Sequence, residues 1–434
     1  MQLGDEMFAA TTTSVRRCPK RVVGTAVMAG LLAASVPVAA QPAPPPDPAP
    51  SAPPALSPED LAEIQRALGA DQAAAPPAPP PSVPVPAPVA RAVSSLNPAI
   101  SFIADFALAG FSRAPMQTGG HDPQQNGFNL QALEMAVSAD VDPYFKFNAN
   151  IVFGPEGVEV EEAYATATAL PGGLQLRAGQ LLTRFGRINP THPHAWDFVD
   201  QPLVIGKMLG GDGNRGLGAE VSWLTPLPWH TEIVVSETMV RGECCARSFS
   251  GDKDIDVKSP GDLETMIALK QFHALSPDWS LAYGLSAALG PNPTFESARS
   301  LLFGADLYVK YRPITRQSTT VVSLQAEAIT RKRDTPKGTL ADSGLYAQLV
   351  WRFAQRWATG ARYELVSGAE NDYLDPEWDG ARHRATANVT FFPTEFSRLR
   401  LQGSADVPTW AKTPIYAAFL ALEVAVGAHG AHPF

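Results

Sequence analysis

The chain has 434 residues, with 34 Lys and Arg against 43 Asp and Glu, and a formal charge of −9 that argues against a general nucleic-acid binder. Its three cysteines are too few for a disulfide framework. No apolar run after Ala40 reaches the roughly 18 residues of a spanning helix, which leaves an exported soluble β protein or a barrel that crosses a membrane by strands.

In chain order, a basic cluster comes first, RRCPKR (Arg16 to Arg21), then an uncharged apolar run, Val22 to Ala40. The run ends in VAA before Gln41, small residues of the kind a signal peptidase accepts. Together these predict a secretory signal peptide over residues 1–40. A single membrane anchor is the alternative, but Pro37 and the Pro- and Ala-rich stretch behind it favour cleavage. Arg16 and Arg17 give a weaker twin-arginine reading, broken by Cys18 and Pro19. Cys18 precedes the apolar run, so it is not a lipoprotein cysteine. Cleavage would remove four basic and two acidic groups and take the charge from −9 to −11.

Residues 41–95 form a Pro- and Ala-rich spacer. Seventeen of the 41 prolines lie between 41 and 92, a composition that favours extended polyproline II and cannot pack a core. Inside it, SPEDLAEIQRALGAD (57–71) predicts one short helix. Ser57 can cap it, Pro58 suits the first position, Glu59 and Asp60 suit the N-terminal end, and Leu61, Ile64 and Leu68 form a narrow stripe.

From about residue 96 to 434 the apolar residues alternate with a period of two, the strand signal. Phe145, Phe147, Ala149, Ile151 and Phe153 oppose Lys146, Asn148 and Asn150. Leu345, Ala347, Leu349, Trp351 and Phe353 oppose Tyr346, Gln348 and Arg352. Ala385, Ala387, Val389 and Phe391 oppose Arg384, Thr386, Asn388 and Thr390. These runs are about nine to thirteen residues long, as a tilted bilayer crossing requires, whereas soluble strands average about five or six. Charges sit in mid-strand on the polar face, as in a wet lumen. Aromatics such as Tyr144, Trp223, Trp229, Trp279 and Trp351 gather near strand ends, as interfacial girdles do. Closure into a barrel removes edges that lipid would not tolerate. The expected fold is all-β: an antiparallel transmembrane barrel of about 16 strands, within a range of about 14 to 18. Tyr416 to Val426 reads as the closing strand, with the terminal Phe434 as an assembly signal and Pro433 departing from the usual alternating end.

The stretch from Arg177 to Pro228 resembles the phosphate-selective porin family, and more closely its uncharacterised relatives often labelled zinc-regulated outer-membrane receptors. The residues that carry the likeness are Phe185, Gly186, Asn189, His192, His194, Asp200, Pro202 and the glycine-rich run Gly210 to Gly218. Leu96 to Phe106 and Gly427 to Phe434 resemble that family's first strand and its ending. The resemblance implies a sixteen-stranded outer-membrane barrel, often a homotrimer. Here Glu134, Glu264, Glu327 and Glu364 share the polar faces with Arg and Lys.

The long connection Gly186 to Gly216 places His192, His194, Asp197 and Asp200 within nine positions. Imidazole with carboxylate suits zinc or another transition metal, and these four are the candidate metal ligands. A loop of this length can also fold inward and narrow the lumen, or lie outside as an ordinary loop. His429 and His432 near the C-terminus offer a second, weaker metal pair. The candidate pore-lining ladder is Lys146, Arg177, Lys310, Arg312, Arg352, Arg362, Arg384, Arg398 and Arg400. Such a ladder either favours anions or holds the wall by charge pairing. Cys244 and Cys245 are adjacent, and their oxidation state is open. No G-x-S-x-G, phosphate loop or H-E-x-x-H pattern supports an enzyme, and no spacing asks for a triad around His383.

The reading is a porin-like channel of a Gram-negative outer membrane for small hydrophilic or ionic solutes, with outer-membrane lipid and the barrel-assembly machinery as partners. It needs no cofactor unless zinc binds the His192 loop. The alternative is a receptor or uptake barrel for a metal ion or other ligand, without a plug domain, since energy-coupled receptors need about 22 strands and a globular plug. A third reading is a structural barrel that tethers the envelope through its proline-rich arm.

Overall fold

The computed structural model describes residues 98–427, apart from 156, 242–243, 252, 315–318, 370–371, 373–374 and 377. The signal peptide, the spacer with its helix, the two C-terminal histidines and Phe434 lie outside the described residues.

Alternation over long strands, with an apolar outward row, produces a closed antiparallel barrel of sixteen strands. These are β1 (Ala99–Phe111), β2 (Gly127–Asp140), β3 (Phe145–Gly154), β4 (Gly157–Ala167), β5 (Leu174–Leu182), β6 (Arg215–Leu224), β7 (His230–Met239) and β8 (Leu263–Ala274). They continue as β9 (Trp279–Pro291), β10 (Arg299–Tyr311), β11 (Val321–Thr335), β12 (Gly338–Ala354), β13 (Trp357–Val366), β14 (Arg382–Thr394), β15 (Ser397–Pro408) and β16 (Ile415–Gly427). Each pairs with its chain neighbours, and β1 closes on β16 from Ser101↔Gly427 to Phe111↔Ala417.

The outward row is apolar and exposed: Leu285, Phe303, Leu349 and Leu401 are all uncovered. Only lipid makes such a surface favourable over the whole wall. Connections that follow even-numbered strands are mostly short, such as 355–356 and 395–396. Those after odd-numbered strands include 112–126, 183–214, 240–262 and 367–381. Bacterial outer-membrane barrels keep short turns on the periplasmic side and longer loops outside. The short-turn end also carries an aromatic girdle, with Trp279 on Tyr311 and Trp357 on Phe391, each pair 4.7 Å between ring centroids.

Leu285 lies at mid-strand on the outward face, 58% exposed. Leu285→Arg is expected to cost about 2–4 kcal/mol of barrel stability, the range for a cation at the bilayer midplane. Refolding into phospholipid vesicles across a urea series measures it. The same change at Leu399, near the short-turn end of β15, costs less because the side chain can reach the interface.

Inside the barrel, residues 183–214 leave the wall after β5 and return at β6. Helix α1 (Leu203–Met208) lies within this segment, and all six of its residues are buried. Leu203, Val204, Ile205 and Met208 pack with Phe185, Ile188 and the wall residues Val234, Met266, Leu302, Ile329, Tyr346 and Val366. On the opposite wall Val199 packs on Ala109 and Phe419. Two wall glycines make room for this contact. A Cβ at Gly304 would lie 2.7 Å from the Phe185 ring, and one at Gly344 would lie 2.8 Å from Val204. The barrel therefore has an apolar core of its own making, a feature that period-two alternation does not announce.

Candidate functional site

The inserted segment is held by carboxylates that project from the wall. Backbone that leaves the sheet needs new acceptors, and a buried carboxylate needs donors, so each meets the other's requirement. Glu327 on β11 accepts from the N–H of Arg187 at 2.8 Å and of Ile188 at 2.9 Å. Glu364 on β13 accepts from the N–H of Leu203 at 2.7 Å. Glu162 on β4 accepts from the N–H of Leu182 at 2.9 Å. On β15, the Gln402 side-chain oxygen accepts from the N–H of Val199 at 2.8 Å.

Two charge clusters complete the anchoring. In the first, Asp200 of the segment meets Arg362 at 2.7 Å and Arg384 at 3.1 Å. Both arginines also pair with Glu364, at 2.6 and 3.0 Å. Burial alone would favour the neutral Asp200 carboxyl, but Arg384 and Arg362 outweigh it and hold its pKa at about 2.

The second cluster gathers three histidines on the other side of the lumen. His192 faces carboxylates with both ring nitrogens: Nδ1 is 2.9 Å from Glu161 and Nε2 is 3.0 Å from Glu162. The doubly protonated ring satisfies both contacts by donating to each. His194 stacks on His192 with centroids 5.8 Å apart, and its Nδ1 is 2.6 Å from Glu134. His121, from the β1–β2 connection, donates through Nε2 to Glu161 at 2.7 Å and lies 3.7 Å from Asp212. Burial works against a charged His121, but the Glu161 hydrogen bond and the charges of Glu161 and Asp212 push its pKa up to about 9. His192 is raised in the same way, burial being outweighed by Glu134, Glu161 and Glu162.

Glu161 and Glu162 are adjacent, and adjacent strand residues ordinarily face opposite sides. Here the β3–β4 register shifts between Asn150 and Ile151, so that Asn150 pairs with Glu162 and Ile151 with Val160. The β-bulge turns both glutamates inward, at 4% and 7% exposure. Glu161 and Glu162 escaped the sequence reading for this reason, and His121 because it arrives from a separate connection, 40 positions from Glu161. The doublet in GVEVEEAYATA is its only trace.

The four candidate metal ligands do not share a centre. His192 and His194 stay together, but Asp200 is taken by Arg362 and Arg384. Asp197 is exposed in the lumen, with Gln348 at 3.4 Å. The physical reason is that β13 and β14 offer Asp200 two guanidinium groups at charge-assisted hydrogen-bond distance, which occupy its oxygens on the other side of the lumen from the histidines.

The basic ladder divides into three. Arg362, Arg384, Arg398 and Arg400 face the inserted segment or its anchoring acids: Arg398 donates to the carbonyl of Trp196 at 3.0 Å, and Arg400 is 3.8 Å from Glu423. Arg362, Arg384 and Arg398 grip the segment, Arg400 sits beside Glu423, and the four do not form rings along an open bore. Arg177 and Lys310 line a cavity of about 940 Å³ at the short-turn end. Lys146, Arg312 and Arg352 sit at the exposed rim of that end, where Arg352 lies over the Phe392 ring at 4.8 Å. The cavity is also lined by Arg184, Arg187, Lys270 and Tyr308. Arg177 and Arg184 share Glu220, and the Arg187 guanidinium lies 3.7 Å from the Tyr308 ring centroid. Beside the inserted segment two smaller gaps of about 20 Å³ each are little larger than a water molecule. The loop thus does more than narrow the lumen: it touches β1, β4, β11, β13, β15 and β16. His383 pairs with Tyr363, 2.8 Å away, on the barrel's outer side.

No family model matches the chain. An uncharacterized protein of Aquifex aeolicus is 31% identical over 385 residues, covering 78% of this chain and 80% of that protein. Solved outer-membrane structures share the fold at low identity. OprB of Pseudomonas putida has a TM-score of 0.54 at 11% identity, covering 76% of this chain and 94% of its own. DcaP of Acinetobacter baumannii, an outer-membrane channel, has 0.52 at 11%, covering 76% and 96%. An anion-selective porin of Comamonas acidovorans has 0.51 at 11%, covering 76% and 99%.

Proposed function

We propose that this chain, which belongs to the same family as the uncharacterized Aquifex aeolicus protein, is a porin-like outer-membrane channel for small ionic solutes, throttled by its own inserted segment. The observation that carries this reading is the 940 Å³ cavity at the short-turn end, lined by charged side chains and floored by residues 184–197. A wet, charged cavity inside a lipid-facing barrel is the environment a hydrated ion needs. Arg177, Arg184, Arg187, Lys270 and Lys310 outnumber Glu162, Asp197 and Asp306 on its wall, which favours small anions. Outer-membrane residence, delivery by the barrel-assembly machinery and a homotrimer, all implied by the family resemblance, go with this reading.

Single-channel recording in a planar bilayer under a salt gradient tests it. Small, steady steps with an anion-selective reversal potential are expected. Arg187→Glu with Lys310→Glu shifts that potential toward cations, because both lie on the cavity wall. One observation favours a second reading: the segment packs from wall to wall, as in a receptor closed at rest. A folded, inserted barrel that never conducts would put that reading first.

A further inference from the structure

The channel reading leaves the cysteine pair unused. Cys244 and Cys245 form a disulfide in the connection between β7 and β8. Arg215, the first residue of β6, aims Nη2 at both sulfurs, 3.2 Å from Cys244 and 3.1 Å from Cys245. The same nitrogen pairs with Glu159, and Arg215 is itself 3% exposed. Oxygens of Glu159 and Asp212 lie with the two sulfurs in one group spanning no more than 4.8 Å. Cys245 is buried, whereas Cys244 is only half-buried. The pair is positioned by the returning limb of the inserted segment: Asp212 N–H donates to the Cys244 carbonyl at 3.2 Å, and Ala246 N–H to the Gly213 carbonyl at 3.1 Å.

We propose that Cys244–Cys245 is a thiol-exchange site, opened by small neutral or cationic thiols, in which Arg215 receives the leaving thiolate. A thiolate RS⁻ attacks Sγ of the more accessible Cys244. The bond between the two cysteine sulfurs breaks, an RS–Sγ bond forms on Cys244, and the electron pair leaves on Cys245 Sγ beside the guanidinium. A second RS⁻ attacks the bound RS sulfur, forms RSSR and releases Cys244 as a thiolate. Two thiols have supplied two electrons, and the two protons they shed go to the cysteines through solvent. A guanidinium at hydrogen-bond distance stabilises a thiolate, and a more stable thiolate leaves faster. Glu159 and Asp212 beside the pair repel anionic thiols, which sets the substrate class.

The full chain, folded in detergent, is titrated with cysteamine or thioglycolate, quenched with N-ethylmaleimide and mapped by mass spectrometry, which separates the pair from Cys18. Cysteamine is expected to open the pair at lower concentration than thioglycolate, through a mixed disulfide on Cys244. Arg215→Gln is expected to need about tenfold more cysteamine, and Arg215→Lys less than that. Should Arg215→Gln fail to fold, the alkylation rate of the reduced wild type against pH decides. Its midpoint is expected well below the ordinary thiol value of about 8.5. A midpoint at or above that value, a mixed disulfide on Cys245, or reduction only after unfolding would each overturn the proposal.

Discussion

Arg384→Met is expected to release the inserted segment from β13 and β14 at a cost of about 3–5 kcal/mol, the range for removing one partner of a buried ion pair. Arg384 is 1% exposed and meets four oxygens of three residues at once. It meets Asp200 at 3.1 Å, both oxygens of Glu364 at 3.0 Å, and the Gln201 carbonyl at 2.7 Å. Without it, Arg362 alone faces two buried carboxylates. The sheet ladder between β13 and β14 does not depend on the side chain, so the barrel itself should survive. The loss falls on Asp200 and Gln201, which belong to the segment. Amide exchange at residues 199–203 should therefore rise by about a hundredfold or more, since about 1.4 kcal/mol is tenfold. Conductance should rise with it. Adding Asp200→Asn removes one stranded charge and should recover part of the protection. Unchanged exchange and conductance in Arg384→Met would show that this cluster does not anchor the segment.

Raising the pH should loosen the other side of the segment. A histidine whose pKa is raised when docked contributes anchoring in its protonated form. For His121 the value moves from 6.5 to about 9, so its contribution is complete below about pH 6.5 and is lost as the pH climbs through 9. At about 1.36 kcal/mol per unit this is on the order of 3 kcal/mol, and His192 shifts in the same direction. The groups facing the two rings are Glu134, Glu161, Glu162, Asp212, Asn150, Gln131 and the stacked ring of His194. Conductance is thus expected to increase several-fold between about pH 7 and 10. The double variant His121→Gln, His192→Gln should flatten that rise. A wild-type profile with no rise in the alkaline window would rule out the histidine cluster as the latch.

The strands were legible because lipid imposes a one-dimensional test. Every second residue must be apolar wherever the wall meets the bilayer, and Leu345, Leu349 and Trp351 meet that demand on β12. The pattern misses the outer part of the same strand. Alternation predicts a start near residue 344, whereas pairing begins at Gly338↔Thr335. There the outward residues are Thr339, Ala341 and Ser343, because wall that stands beyond the membrane has no need of apolar side chains. β10 likewise begins at Arg299, ahead of the apolar run from Leu301.

The site was legible only in outline. A long connection carrying His192 and His194 is visible in the chain, and so are nine basic residues on lumen-facing or rim positions. Their partners are not. Arg384 and Asp200 are 184 positions apart, and nothing local links Leu203 to Glu364. A single register shift between β3 and β4 decides that Glu161 and Glu162 face inward together.

The sequence by itself thus determined the barrel, its strand number to within two and its lipid face, since these follow from the alternation of neighbours along the chain; closure of the ring fixed the number at sixteen. Only the tertiary structure decided that residues 183–214 cross the lumen and that Arg362, Arg384 and Arg398 grip this segment. Burying a charge is tolerable only beside a counter-charge, and which charges become neighbours is settled by closure of the ring and the path of one loop through it.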